Sequence, residues 1–208
     1  MLKNGVYVVP ESGDEKLNEI DLLEKYYLKL LKKIIVSEVG SEYYISGIKS
    51  LQFHLKDFSV PEKIYVMTRS TEKKVKVGDY EIIFKTVTGK YQWKKINLFQ
   101  RFLKLSSRVV VDAIELKISS LELALLESAL VSDSELGLQF DILNKTLKKY
   151  GKVLKKEVFY EIGKYKYGMS FNRLKEIAKP IDKELYEVFL DVIKKNGNLF
   201  IGEGLRGF

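Results

Sequence analysis

Between residues 16 and 36 apolar side chains recur every three or four positions, at Ile20, Leu23, Tyr27, Leu30, Leu31 and Ile34, with Lys25, Lys29, Lys32 and Lys33 between them. That period places one apolar stripe along a helix of about five turns. A second helix is expected over 46–56. The period then shortens to two. Lys63–Thr68, Lys73–Val77 and residues 80–87 read as strands rich in β-branched and aromatic residues, with Gly78-Asp79 as a tight turn between the last two. Residues 5–9, closed by Pro10, and the short runs 109–111 and 115–118 add further strand pieces.

From Ser119 onward the pattern is helical. Ser119-Ser120-Leu121-Glu122 has the spacing of a capping box, and Ser132 with Glu135 repeats it. The run after the first box is apolar on most sides, as a central helix is. Leu136, Phe140, Leu143 and Leu147 then share one helix face that Gly151 should stop. Helices are expected over 153–163 and 171–178. Pro180 separates them from a last helix that Asp182 caps, Leu185, Phe189 and Ile193 line, and Asn196-Gly197 ends. The expected fold is therefore α+β: a small antiparallel or mixed sheet with flanking helices and a helical C-terminal half.

Composition narrows the chemistry. The chain has 208 residues and no cysteine, which removes disulfides, thiolate metal sites and cysteine nucleophiles. Lys32 and Lys33 interrupt the longest apolar stretch before it reaches the roughly 20 residues of a membrane helix, and residues 1–15 hold no apolar signal core. A cytoplasmic protein without membrane contact is expected. The single histidine, His54, has no second histidine, thiolate or Gly-x-Ser-x-Gly elbow to work with, and reads as a structural or surface residue. Gly202-Glu203-Gly204-Leu205-Arg206-Gly207 matches the dinucleotide fingerprint in letters only, because no helix can follow it before Phe208. Asp112, Glu115 and Lys117, with Asp79 as a distant supplier, have the residue types of a metal-dependent nuclease. Strand alternation turns Asp112 and Glu115 to opposite faces, so solvated strand charges are the plainer explanation. No enzyme activity, no cofactor and no metal are expected.

The net charge of +8 is unevenly placed. Residues 63–104 carry 11 basic and 3 acidic side chains, and residues 145–208 carry 15 and 8, whereas the other two segments are net acidic. Segregation of this kind attracts polyanions. The first basic block contains Arg69, Lys73, Lys74, Lys76, Lys85, Lys90, Lys94 and Lys95, with Tyr91 and Trp93 interleaved, and its hairpin lysines are expected to share a face. The second contains Lys145, Lys148, Lys149, Lys152, Lys155 and Lys156 around a helix–turn–helix-like junction at Gly151. Lacking Arg, Asn or Gln at the start of its second helix, that junction should contact phosphates without reading bases.

Residues 44–51 (Tyr-Ile-Ser-Gly-Ile-Lys-Ser-Leu), residues 60–68 (Val-Pro-Glu-Lys-Ile-Tyr-Val-Met-Thr), the basic hairpin ending in Gly78-Asp79-Tyr80, and the helix start at 118–126 resemble, in order and spacing, the C-terminal domain of AbiEi antitoxins. The resemblance spans about residues 44–131. It implies a transcriptional regulator of a type IV-like abortive-infection system used in phage defence. Such a protein counteracts a nucleotidyltransferase toxin without forming a stable complex and represses its own operon through an N-terminal winged helix. Residues 3–10 resemble the last wing strand of that winged helix, so residues 1–15 are expected to be a wing remnant and residues 16–208 a single antitoxin domain. With the winged helix incomplete, DNA binding is expected to be weak and non-specific. A sequence-independent nucleic-acid-binding module is the alternative, followed by the nuclease.

Overall fold

The computed structural model of the protein describes residues 11–14, 16–69, 71–87, 97–130, 133–165 and 167–196. They form an α+β fold with a mixed six-stranded sheet and eight α-helices among the described residues. The strand over 5–9, the Ser132 cap and the glycine-rich tail lie outside the described residues. The chain after residue 15, read from sequence as one unit, divides into two compact units: residues up to 87 with 97–120, and residues 121–196.

In the first unit α1 (Glu19–Val39) is followed by β1 (Tyr44–Ile45), α2 (Gly47–Leu55), β2 (Lys63–Thr68), β3 (Lys73–Val77), β4 (Tyr80–Thr86), α3 (Leu98–Lys104), β5 (Ser106–Val111) and β6 (Ile114–Ser119). The strands lie in the order β3-β4-β2-β1-β6-β5. β2 and β4 run parallel, and β3 returns antiparallel on the outside of β4 through the expected turn at Gly78-Asp79. The β5–β6 hairpin turns at Asp112 and Ala113, both at positive φ (48° and 62°), as a two-residue primed turn requires. β1 joins the two halves, antiparallel to β2 and parallel to β6.

The apolar stripe of α1 covers one sheet face. Leu23, Tyr27, Leu30, Leu31, Ile34 and Ile35 share a buried cluster with Ile45, Ile64, Val66, Val75, Val77, Ile82, Phe84, Leu116 and Ile118. Each such aliphatic side chain stabilises by roughly 1.5–3 kcal/mol when fully buried, so this layer is the main source of cohesion in the unit. Strand alternation sends every second residue to this layer and its neighbours to the opposite face. On the opposite face α3 lays Phe99 against Tyr44, with parallel rings 6.2 Å apart. Asn97 caps α3 through its side-chain oxygen, which accepts from the Gln100 amide at 3.1 Å.

The second unit contains α4 (Leu121–Ser128), α5 (Asp133–Tyr150), a 3-10 turn (Gly151–Val153), α6 (Lys156–Gly163), α7 (Gly168–Ala178) and α8 (Lys183–Lys195). α4 is the central helix expected, with Leu123, Ala124, Leu125 and Leu126 all inaccessible to solvent. Ser119 ends β6 and its hydroxyl donates to Ile45 O, while Glu122 Oε1 accepts the Lys155 amide at 2.9 Å. Asp182 does cap α8, accepting from the Glu184 and Leu185 amides at 2.9 and 3.1 Å.

Phe159, Phe171 and Phe189 form an aromatic trio with centroids 5.0–6.2 Å apart, joining α6, α7 and α8. α6 and α8 approach closely because residue 163 is glycine: a Cβ there would lie 2.4 Å from Val192 Cγ1. Gly163→Ala is therefore expected to destabilise the protein by about 1–3 kcal/mol through overpacking. Urea denaturation checks this, and an unchanged midpoint would refute so close a helix contact.

Candidate nucleic-acid interface

On the face away from α1 the register sets the side chains of β2, β4 and β3 in rows. Lys63, Glu81 and Lys76 stand side by side in one row, and Tyr65, Ile83 and Lys74 in the next. Met67 and Lys85 begin the third. Neighbours across strands are about 4.8 Å apart and rows about 6.7 Å apart. Four exposed lysines, Lys63, Lys74, Lys76 and Lys85, thus frame the half-buried Tyr65 and the buried Ile83. Glu81 is the one carboxylate within these rows, 3.7 Å from Lys74 Nζ. Lys85 Nζ sits 4.9 Å from the centre of the Tyr65 ring. Arg69 is exposed just beyond the end of β2.

Lys73 departs from the expected shared face. It alternates with Lys74 and so points with Val75 and Val77 toward α1, where its ammonium pairs with Glu38 and lies 5.7 Å from the Phe84 ring. Its charge is spent inside the unit. The frame gains instead Lys63 and Tyr65, which charge counting does not single out because only the β2–β4 register brings them beside the hairpin. Lys90, Lys94, Lys95, Tyr91 and Trp93 lie outside the described residues.

The second basic block is assembled as the sequence suggests, with a different division of labour. Lys145, Lys148 and Lys149 are exposed on one side of α5 and, with Asp141 and Asn144, line a shallow groove. Lys149 Nζ lies 5.0 Å from the Tyr150 ring. Lys152 is exposed in the 3-10 turn. The junction at Gly151 is real, yet its second helix is already supplied with anions. Glu122 accepts the amide of Lys155, the N-cap of α6, and Glu184 pairs with Lys156. A carboxylate on the N-cap amide offsets the helix dipole that would otherwise attract phosphate.

The nuclease residues are not brought together. Asp112 occupies the β5–β6 turn, while Asp79 sits in the β3–β4 turn at the other side of the sheet. Glu115 and Lys117 do share a strand face, but Arg108 donates to Glu115 at 3.3 Å and Lys117 donates to Ser41 O at 2.7 Å. Among the described residues no group of three or more metal-binding side chains is placed to hold an ion. His54 Nε2 lies 2.9 Å from Ser119 O, the carbonyl that also accepts Ser50 Oγ at 3.1 Å, so α2 is tied to the end of β6. Among the described residues no helix is long and apolar enough to cross a membrane.

One buried cation went unnoticed in the sequence because it resembles any amphipathic helix lysine. Lys49 of α2 is 2% exposed, donates to Ser59 O, and lies 4.7 Å from the Phe53 ring and 5.9 Å from that of Tyr27. Burial disfavours its charge and brings its pKa down to about 8, against the opposing pull of Asp57.

The fold and its framed basic face define an α+β protein with a candidate polyanion-binding surface. Comparison with known protein families, curated proteins and solved structures finds no match.

Lys49 generates a pH prediction. Its folded pKa is below its unfolded one, so between about pH 8 and 10.5 the unfolded chain binds more protons, and stability rises with pH. Above pH 10 the buried Tyr27 works in the opposite direction, since burial raises its pKa and only the unfolded chain then ionises. Wild-type stability is therefore expected to climb by on the order of 2 kcal/mol from pH 7.5 to 9.5, and Lys49→Met to flatten that climb. Urea unfolding at stepped pH measures it; equal slopes for both proteins would refute a charge-penalised Lys49.

Proposed function

We propose that this chain is a non-catalytic cytoplasmic regulator that acts as an AbiEi-like antitoxin and contacts nucleic-acid phosphates through the β2–β4–β3 face. The observation that carries the nucleic-acid part is the lysine frame: four exposed ammonium groups stand in the β2–β4–β3 rows, where Glu81 is the one carboxylate among the described residues. Lysines spaced about 5–10 Å apart match the spacing of backbone phosphates, and each phosphate contact releases counterions. The antitoxin part is supported by the ordered resemblance over residues 44–131 and by its implied partner, a nucleotidyltransferase toxin held in no stable complex. The exposed lysines of α5 and the 3-10 turn offer a second, smaller surface of the same kind, while Lys155 and Lys156 contribute less because Glu122 and Glu184 already engage that helix start.

Binding to duplex DNA is expected to be weak, with a Kd on the order of 10⁻⁴ to 10⁻⁶ M at physiological salt, and to fall steeply as salt rises. Lys74→Glu with Lys76→Glu should lower the slope of log K against log salt by about 2 and reduce antitoxic effect in parallel. Lys73→Ala should leave the slope in place and cost about 0–1 kcal/mol of stability through the lost Glu38 pair. Co-expression with a nucleotidyltransferase toxin of an abortive-infection system, scored as growth, tests the antitoxin reading. Continued toxicity in the presence of soluble wild-type protein would overturn it, and full binding without rescue would leave a nucleic-acid-binding module.

A further inference from the structure

We infer that the outer edge of β5 is a self-association site, where a second copy of this chain pairs its own β5 antiparallel across a twofold axis, with Val110 facing Val110. The inference stands apart from the nucleic-acid reading and uses no residue of the lysine frame.

The two outer strands of the sheet are built differently. The sheet ends in β3 on one side and β5 on the other, and among the described residues no strand lies beyond either. An outer strand presents a row of backbone N–H and C=O groups that can template pairing with another chain, and natural sheets often guard it with lysine. β3 is guarded in that way, by Lys73, Lys74 and Lys76. β5 reads Ser-Ser-Arg-Val-Val-Val, with Arg108 as its only charge. Val109 and Val111 pack against the layer under α1, which fixes the strand from one face. Val110 lies on the other face and is 65% exposed.

The register shows which backbone groups of β5 look outward. Just before the strand, Ser120 N–H donates to Leu105 O at 3.0 Å. The same register sets Ser107 opposite Ile118, Val109 opposite Leu116 and Val111 opposite Ile114. Antiparallel ladders alternate hydrogen-bonded and non-bonded pairs, so these odd-numbered residues bond to β6. The two-residue turn that follows Val111 requires the same phase. Ser106, Arg108 and Val110 therefore direct their N–H and C=O groups away from the sheet.

Side chains then select the occupant and the register. Over residues 106–119 two basic side chains, Arg108 and Lys117, are matched by two acidic ones, Asp112 and Glu115, so this edge does not repel a copy of itself despite the net charge of +8. A pairing centred on Arg108 would set two guanidinium groups directly opposite each other, which destabilises. Centred on Val109, it would set Arg108 against Val110 and Val111 against Ser107, which joins unlike side chains. Centred on Val110, it sets Val109 against Val111 and Arg108 against Asp112 of the second copy, and symmetry repeats each contact. Asp112 is exposed in the β5–β6 turn. Within its own copy Arg108 meets only Glu115, at 3.3 Å between side chains 69% and 44% exposed, a weak contact that leaves the guanidinium free to reach across.

Sedimentation velocity of the full chain without nucleic acid tests this, from about 5 to about 300 µM, a range suited to a weak interface of under roughly 1,200 Å². The average mass is expected to rise with concentration from monomer toward dimer. Val110→Lys puts two ammonium groups on the symmetry axis and should keep the protein monomeric throughout. Arg108→Glu, which sets a carboxylate against Asp112, should weaken the dimer by about tenfold. Both positions are exposed, so near-native urea midpoints are expected and show that the variants fold. Because the chain has no cysteine, Val110→Cys and Arg108→Cys each supply a single thiol. Oxidation should link the Val110→Cys protein, whose paired Cα atoms lie about 5.5 Å apart, within disulfide reach. The Arg108→Cys protein, with its two thiols about 14 Å apart along the strands, should stay unlinked. A wild-type chain that is monomeric at every concentration overturns the inference. So does a dimer that survives Val110→Lys in a folded protein, because the copies then meet elsewhere. Linkage through Arg108→Cys and not through Val110→Cys would overturn the pairing centred on Val110.

Discussion

Two residues hold the sheet together. Tyr44 and Ile45 form a strand that is antiparallel to β2 on one side and parallel to β6 on the other, and both are inaccessible to solvent. Without this strand the β3–β4–β2 group and the β5–β6 hairpin would each present an unpaired edge. The junction is reinforced at its end: Ser46 N–H donates to Tyr65 O, Ser119 Oγ donates to Ile45 O, and Ser50 and His54 both reach Ser119 O. The two side chains of β1 leave by opposite faces. Ile45 enters the layer under α1, and Tyr44 receives Phe99 of α3. Everything that positions the lysine frame hangs on this pair, because β2, the strand that carries Lys63 and Tyr65, takes its place between β1 and β4.

Much of this architecture is legible in the sequence, and the remainder fails for identifiable reasons. β2, β3 and the Gly78-Asp79 turn fall on their predicted residues, and the bounds of α1 and β4 differ from prediction by three residues or fewer, because period and turn chemistry are local signals. β1 is invisible to such signals: two residues show no periodicity, and only tertiary pairing makes them a strand. α3 is missed because its seven residues follow a basic aromatic stretch without a clear stripe. Ser119, read from its spacing as part of a helix start, also ends β6, where its hydroxyl donates to Ile45 O.

For the candidate interface, residue type is legible and grouping is not. The concentration of charge in residues 63–104 points to the right region, but a tally along the chain cannot separate Lys73 from Lys74. The pleat does so, sending one to Glu38 and the other to solvent. Equally, no count brings Lys63 and Tyr65 to the hairpin, since β2 reaches β4 only by a crossover that leaves β3 on the outside. Buried Lys49 illustrates the same limit from inside the unit.

The strict alternation of β3 also constrains how this protein can vary. Val75 and Val77 are buried against α1 while Lys74 and Lys76 stand on the framed face. A one-residue insertion that shifted the strand's reading frame against β4 would exchange the two sets. Two valines would enter water, at about 1.5 kcal/mol or more each, and two ammonium groups would be driven into the apolar layer at several kcal/mol each. Length changes near the hairpin are therefore tolerable in pairs or beyond its turn, and a single added residue within the strand would erase both the packing and the charged surface at once.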